Sequence, residues 1–136
     1  MDDILKTLRV SASGMKSQGT RLRVIAENIA NADSLPTSPE DTPYRRKLVM
    51  FKNALDRATG LDTVRVHEIQ DSNGSFGRKY LPGHPAADAD GYVVTPNVKT
   101  MIEMADMREA QRSYEANLSV IKVSKRMLQQ TIDVLR

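Results

Sequence analysis

The sequence holds no cysteine and no tryptophan among its 136 residues, and only two phenylalanines and four tyrosines. Without thiols it can build no disulfide scaffold, no thiolate metal site and no cysteine nucleophile, and it is indifferent to the redox state of its compartment. With so few large rings, a sizeable enzyme-like core is not expected, and the length suits one compact domain or a small domain carrying extended arms. No apolar run approaches the roughly 20 residues that a membrane-spanning helix needs. The opening Met1-Asp2-Asp3 is acidic where a secretory signal is basic and then greasy. The expectation is a cytosolic chain, or one that leaves by a route that reads no cleaved signal. The net charge of +3 and pI near 9.3 permit nucleic acid or an anionic surface as partner, but the excess is thin.

Catalytic signatures are also missing. No serine sits in Gly-x-Ser-x-Gly, and no glycine-rich stretch is spaced to cradle phosphate. His84, Asp88 and Asp90 are the one set that resembles a metal site. An EF-hand with Gly91 at its sixth place needs an acidic ligand where Ala86 stands and a glutamate where Asn97 stands. Asp88 and Asp90 instead suit side chain to backbone bonds in a turn, with Gly91 supplying a positive φ. His67 alternates with its neighbours on a strand and has no motif around it. The run Arg45-Arg46-Lys47 beside Tyr44 is the densest basic stretch, a single triplet rather than a groove. No cofactor is implied.

Proline and glycine are distributed unevenly. From Ile4 to about Ala32 there is no proline, and Met1, Leu8, Met15, Leu22 and Ile29 recur at sevens beside Leu5, Ala12, Gly19 and Ala26. From about Asn97 to Leu135 both residues vanish, and Met107, Tyr114, Ile121, Leu128 and Leu135 repeat at sevens. The neighbouring row holds Met104, Leu118 and Ile132, with Gln111 and Lys125 as polar members. Two long helices follow, about 45 and 55 Å long at about 1.5 Å per residue. Their seams are longer than the middle of the chain can cover. Between them Pro36, Pro39 and Pro43 mark an extended connector. Leu48 to Phe51, Val64 to Ile69 and the turn signals at Asn73-Gly74, Pro82-Gly83 and Asp90-Gly91 then suggest three or four strands.

Several stretches carry a resemblance. Ala12-Ser13-Gly14-Met15 and the run from Arg21 to Ala32, which contains Ala26-Glu27-Asn28-Ile29-Ala30-Asn31, resemble the N-terminal signature of the flagellar rod and hook axial protein family. Pro43-Tyr44-Arg45-Arg46-Lys47, the run from Pro82 through His84, Asp88, Asp90 and Gly91 to Tyr92-Val93, and Pro96-Asn97-Val98 look like the narrower pattern of its proximal-rod members. Glu103-Met104, Ala110, Arg112 and Ser113-Tyr114-Glu115-Ala116-Asn117 fit the C-terminal signature. One departure stands out: Glu40-Asp41-Thr42 occupy a place where the family commonly has glycines.

The resemblance implies a structural rod subunit and no enzyme. It would be exported through the flagellar type III apparatus without signal cleavage and placed in the periplasmic rod of the basal body. Its implied partners are copies of itself, other rod proteins, the rod-to-membrane-ring adaptor, the distal rod and the export apparatus, with neither nucleic acid nor membrane insertion. Binding of nucleic acid or an anionic surface is the alternative. The expected fold is mainly α with a small β-containing insert, its terminal helices paired as an antiparallel coiled-coil-like domain. The segments are 1–33 and 96–136 for the helices and 34–95 for connector and insert. Packing is assigned to Leu8, Met15, Leu22, Ile25, Asn28, Ile29 and Asn31 on the first helix. On the last it falls to Met107, Tyr114, Asn117, Leu118, Ile121, Leu128, Ile132 and Leu135. The three asparagines are expected to bond across helices or to cap backbone, Asn31 alternatively capping the end of the first helix.

Overall fold

A computed structural model describes residues 1–136. In chain order it has α1 (Asp2–Ala30), β1 (Lys47–Asp56), β2 (Leu61–Asp71), β3 (Gly77–Tyr80), β4 (Tyr92–Thr95) and α2 (Thr100–Val134). The helices, 29 and 35 residues long, make up roughly half the chain rather than most of it. Asp2 and Asp3 open α1 with carboxylates in the first turn, where they complement the positive end of the helix. It ends at Ala30. Asn31 then donates from its backbone N–H and its side-chain amide to the carbonyl of Glu27, at 3.1 and 2.9 Å.

β1 and β2 form one two-stranded sheet, β3 and β4 another. The first pair is longer than its apolar patterns suggest, 10 and 11 residues, because a turn at Asp56–Gly60 folds the chain back on itself. There Gly60 has φ +68° and donates to the Asp56 carbonyl at 2.7 Å. β3 and β4 are antiparallel, with Gly77 opposite Thr95 and Tyr80 opposite Tyr92. Their connection is held by Asp88, whose Oδ1 accepts the N–H groups of Asp90 at 3.0 Å and Tyr92 at 2.9 Å. The Tyr92 N–H, with the Arg78 guanidinium 2.7 Å from the other oxygen, keeps the Asp88 carboxyl below the usual carboxylate range. His84 accepts the Ala86 N–H on Nδ1 at 3.0 Å.

The chain divides into two compact units, each built from separated stretches. The first unit comprises Met1–Leu22, Val49–Glu68 and Arg108–Arg136, the second Arg23–Leu48 and Ile69–Met107. The second unit buries Val24, Ile25, Ala86 and Val93. In the first unit Ser11, Ser17, Thr63, Ala110 and Ser124 are buried, so Ala110 is its one fully buried apolar residue. Ser17 donates its hydroxyl to the Val64 carbonyl at 3.1 Å, tying α1 to β2. Against α2, Gly14 faces Asn117 so closely that a Cβ would come 2.8 Å from its amide nitrogen, and Arg21 reaches Glu109 at 3.6 Å.

These contacts shift the seam by one residue from its expected place. The row beside Met107, Tyr114, Ile121 and Leu128 that is buried or faces Gly14 is Ala110, Asn117 and Ser124, and in the second unit Glu103 continues the sevenfold spacing. Gln111 and Lys125, expected on the seam, are exposed, and Leu118 is half-buried. Small side chains allow the backbones to approach, and burying a glutamine or a lysine without partners costs free energy. The small row of α1 is likewise turned outward. Leu5, Ala12 and Ala26 are exposed and nothing lies within 4 Å of the place a Cβ would take on Gly19.

Gly91 has φ +85°, and a Cβ there would sit 2.9 Å from the Tyr80 ring. Gly91→Ala is expected to lower the unfolding free energy by about 1–2 kcal/mol from the backbone conformation alone. Urea denaturation followed by tyrosine fluorescence checks this, and a value equal to that of the unaltered chain would show that the turn tolerates a side chain.

Candidate functional site

The densest set of specific contacts lies in the second unit, where the chain leaving the connector meets both helices. Pro43 is buried and fixes its own φ, and residues 42–46 run without regular structure into β1. Asn28 waits on α1, 1 % exposed. Its Oδ1 accepts the Tyr44 hydroxyl at 2.8 Å and the Lys47 N–H at 2.9 Å. Its Nδ2 donates to the Lys47 carbonyl at 2.9 Å and to Oε2 of Glu103 on α2 at 3.1 Å. All four hydrogen-bonding places of the amide are filled, which only a side chain that both donates and accepts can achieve.

Glu103 is also 1 % exposed, the largest of the fully buried side chains. Its other oxygen accepts Nε–H of Arg46, whose Nη2 donates to Asp106 at 3.2 Å. The Arg46 backbone N–H donates to Asn97 Oδ1 at 2.7 Å, and Asn97 in turn donates to the Gly74 carbonyl at 3.1 Å. Lys47 Nζ reaches Glu27 at 2.6 Å. Arg45 donates to the Ser72 carbonyl at 3.0 Å and lies 4.3 Å over the Phe76 ring. The basic run is thus engaged inside its own unit. No group of three or more histidine, aspartate or glutamate side chains is placed to hold a metal ion. The cluster holds chain segments together; it is not arranged to react.

The residues expected from sequence to act together are dispersed. Asn28 and Tyr44 meet directly, Arg46 joins them through Glu103, and Ile25 is buried in the same unit. Asn117 bonds within its own helix, to the Ser113 carbonyl at 3.1 Å, rather than across to α1. Leu8, Met15, Leu22, Ile29, Met107, Tyr114, Leu118, Ile121 and Leu128 are half-buried. Ile132 and Leu135 are exposed, at 45 % and 76 %. His84, Asp88, Asp90 and Gly91 shape the β3–β4 connection, where Tyr92 packs edge-on against Tyr80 with ring centroids 5.2 Å apart. Sequence reasoning left Glu103, Asp106, Glu27 and Lys47 out of the packing set. For Glu103 a signal was there, since Glu103, Ala110, Asn117 and Ser124 stand seven apart.

The first unit carries an exposed apolar surface. On α2 in the first unit Ala116, Val120, Val123, Met127 and Val134 follow one another at helical spacing, and all are exposed, Val134 at 85 %. No helix of the chain is long and apolar enough to cross a membrane.

Asn28→Asp would replace two donors by acceptors beside the Glu103 carboxylate. It is expected to cost about 3 kcal/mol or more, because it breaks buried hydrogen bonds and sets two buried carboxylates together. Urea denaturation at neutral pH measures the loss. Burial, with Glu27, Glu103 and Asp71 nearby, raises the Tyr44 hydroxyl from its ordinary 10.0 to about 12. Because the folded value is the higher one, the stability it supplies is complete below pH 10 and is lost as pH rises toward 12. Titration at 295 nm is therefore expected to lose its highest-pH component in Tyr44→Phe, and the stability of that variant should fall less steeply over the same range.

Residues 8–34 match the family described as "Flagella basal body rod protein", and residues 89–134 match "Flagellar basal body rod FlgEFG protein C-terminal". The flagellar basal-body rod protein FlgC of Agrobacterium fabrum is 47% identical over 136 residues, covering 100% of this chain and 98% of the relative. That of Salmonella typhimurium is 40% identical over 131 residues, covering 95% and 96%. That of Aquifex aeolicus is 37% identical over 134 residues, covering 98% of both. The chain belongs to the family of the flagellar basal-body rod protein FlgC.

Proposed function

We propose that this chain is a structural subunit of the bacterial flagellar basal-body rod, acting in the proximal rod by packing its terminal helices rather than by catalysis. The observation that carries the reading is the first unit. Its fully buried residues are four hydroxyl side chains and Ala110, while Leu5, Val10, Val120, Val123, Met127, Ile132, Val134 and Leu135 of its helices are exposed. Such a unit gains little from burial as a lone chain and much from a neighbour, at about 25 cal/mol for each Å² of apolar surface covered.

In the proposed assembly α1 and α2 pair as an antiparallel coiled-coil-like domain. The small inner row Gly14, Ala110 and Ser124 supports this by allowing close approach. The larger apolar rows then face copies of the same chain and other rod proteins, with the membrane-ring adaptor and the distal rod at the two ends. Delivery through the flagellar export apparatus into the periplasm agrees with the lack of cysteine. The segments 1–33 and 96–136 serve as the inner helices and 34–95 as the outer part. The clasp around Asn28 and Glu103 fits the same reading, because it lets the middle segment set where the helices meet.

Val123→Glu with Met127→Glu tests it. Both positions are exposed in the isolated chain, so circular dichroism of the purified variant should match that of the parent. Covered by a neighbour, two carboxylates without partners would cost several kcal/mol. The variant should therefore fail to restore swimming to cells lacking the native gene. Full motility would remove this face from the assembly.

A further inference from the structure

The first unit carries a groove of about 660 Å³ between α1 and the β1–β2 hairpin. Arg9, Lys16 and Thr20 line it from the helix, and Asp56, Thr63 and Arg65 from the strands and their turn. Arg9, Lys16 and Arg65 are exposed. The single carboxylate, Asp56, accepts the Ala58 N–H at 3.0 Å and stands 3.8 Å from Arg9, and neither Lys16 nor Arg65 forms a salt bridge in the chain. Two positive charges are left in excess. From Arg9 to Thr20 the helix wall runs about 16 Å, at about 1.5 Å per residue.

The connector offers the opposite charge. Between Arg23 and Arg45 the chain has no lysine or arginine, but it has Glu27, Asp33, Glu40 and Asp41. Pro39 and Glu40 form the tip of a turn closed by the Asp41 N–H on the Ser38 carbonyl at 3.1 Å. Thr37 donates its hydroxyl to Asp41 Oδ2 at 2.6 Å, which holds that side chain in place. Pro39, Glu40, Asp41 and Thr42 are all exposed. A β-turn is narrower than about 7 Å between its end Cα atoms, so this tip is well within the length of the groove.

We infer that the groove of one copy receives the Ser38–Asp41 turn of a second copy, Glu40 and Asp41 facing Lys16, Arg65 and Arg9. The occupant follows from charge complementarity between two exposed surfaces of the same chain, and the inference rests on the assembly reading above. Because the two surfaces differ, the contact can repeat head-to-tail from copy to copy. Successive copies can therefore add in one direction. The contact acts through exposed charges, so it weakens as salt shortens the screening length from about 14 Å at 0.05 M to about 4 Å at 0.5 M.

The full-length chain tests this in two measurements. In a mixture of ¹⁴N- and ¹⁵N-labelled protein at low salt, carbodiimide should join Lys16 to Glu40 or Asp41 in mixed-isotope pairs, and high salt should remove them. In sedimentation velocity, Lys16→Glu with Arg65→Glu should weaken self-association about tenfold or more, and Glu40→Lys with Asp41→Lys should do the same. An equal mixture of the two reversed variants should recover association that neither shows alone, because each then presents the charge its neighbour needs. Oligomers that ignore both reversals would overturn the contact and leave the assembly reading standing. A chain that stays monomeric with no Lys16 cross-link, or reversed variants that fail to complement, would overturn it as well. Cross-links from Lys16 only to other acidic residues would mean that another segment fills the groove.

Discussion

A carboxylate taken out of water governs the second unit. Removing an ion from solvent costs several kcal/mol, and that cost is offset only where the ion is paired and its lone pairs are filled. Glu103 meets the condition through Arg46 and Asn28, and Asn28 through Tyr44 and both backbone groups of Lys47. Each partner comes from a different part of the chain. Glu103 lies on α2, Asn28 on α1, and Tyr44 and Arg46 on the segment that enters β1. Displacing any of the three leaves a buried polar group unpaired, so α1, α2 and the entering segment hold a common register in this unit.

The first unit is organised on the other principle, absence of bulk. Gly14, Ala110 and Ser124 permit close approach of backbone, and no large apolar residue is fully enclosed. The consequence is that larger side chains of the same helices remain at the surface, where a soluble monomer has no use for a continuous stripe of them. The proposed assembly would cover such a stripe, and the groove between α1 and the strands of the same unit is a second surface, basic in character.

Much of the architecture was legible in advance. The absence of proline across α1 and of proline and glycine across α2 gave both helices to within a few residues, and Asp90-Gly91 marked a real turn with positive φ. The β1–β2 hairpin was harder to read because its turn, Arg57 to Gly60, carries only one glycine and no proline. The seam was displaced by one residue for a related reason. Hydrophobic periodicity counts bulk, whereas the row that is buried or faces Gly14 consists of alanine, serine and asparagine, which such counting ignores. The clasp was hidden further still. Asn28, Tyr44 and Arg46 stood in the motifs, but their partner Glu103 lies 75 positions from Asn28, and no local pattern links them.

By itself, the sequence determined where helix must begin and stop, that no thiol chemistry is available, and, through its motifs, which family the chain belongs to. These are properties of residues and near neighbours, set by backbone propensity and by side-chain type. The tertiary structure decided which face of each helix is inner, which charges are paired and which apolar residues stay uncovered. Those outcomes depend on how closely two backbones can approach and on which polar groups find partners once water is excluded, and both are settled by residues far apart in the chain.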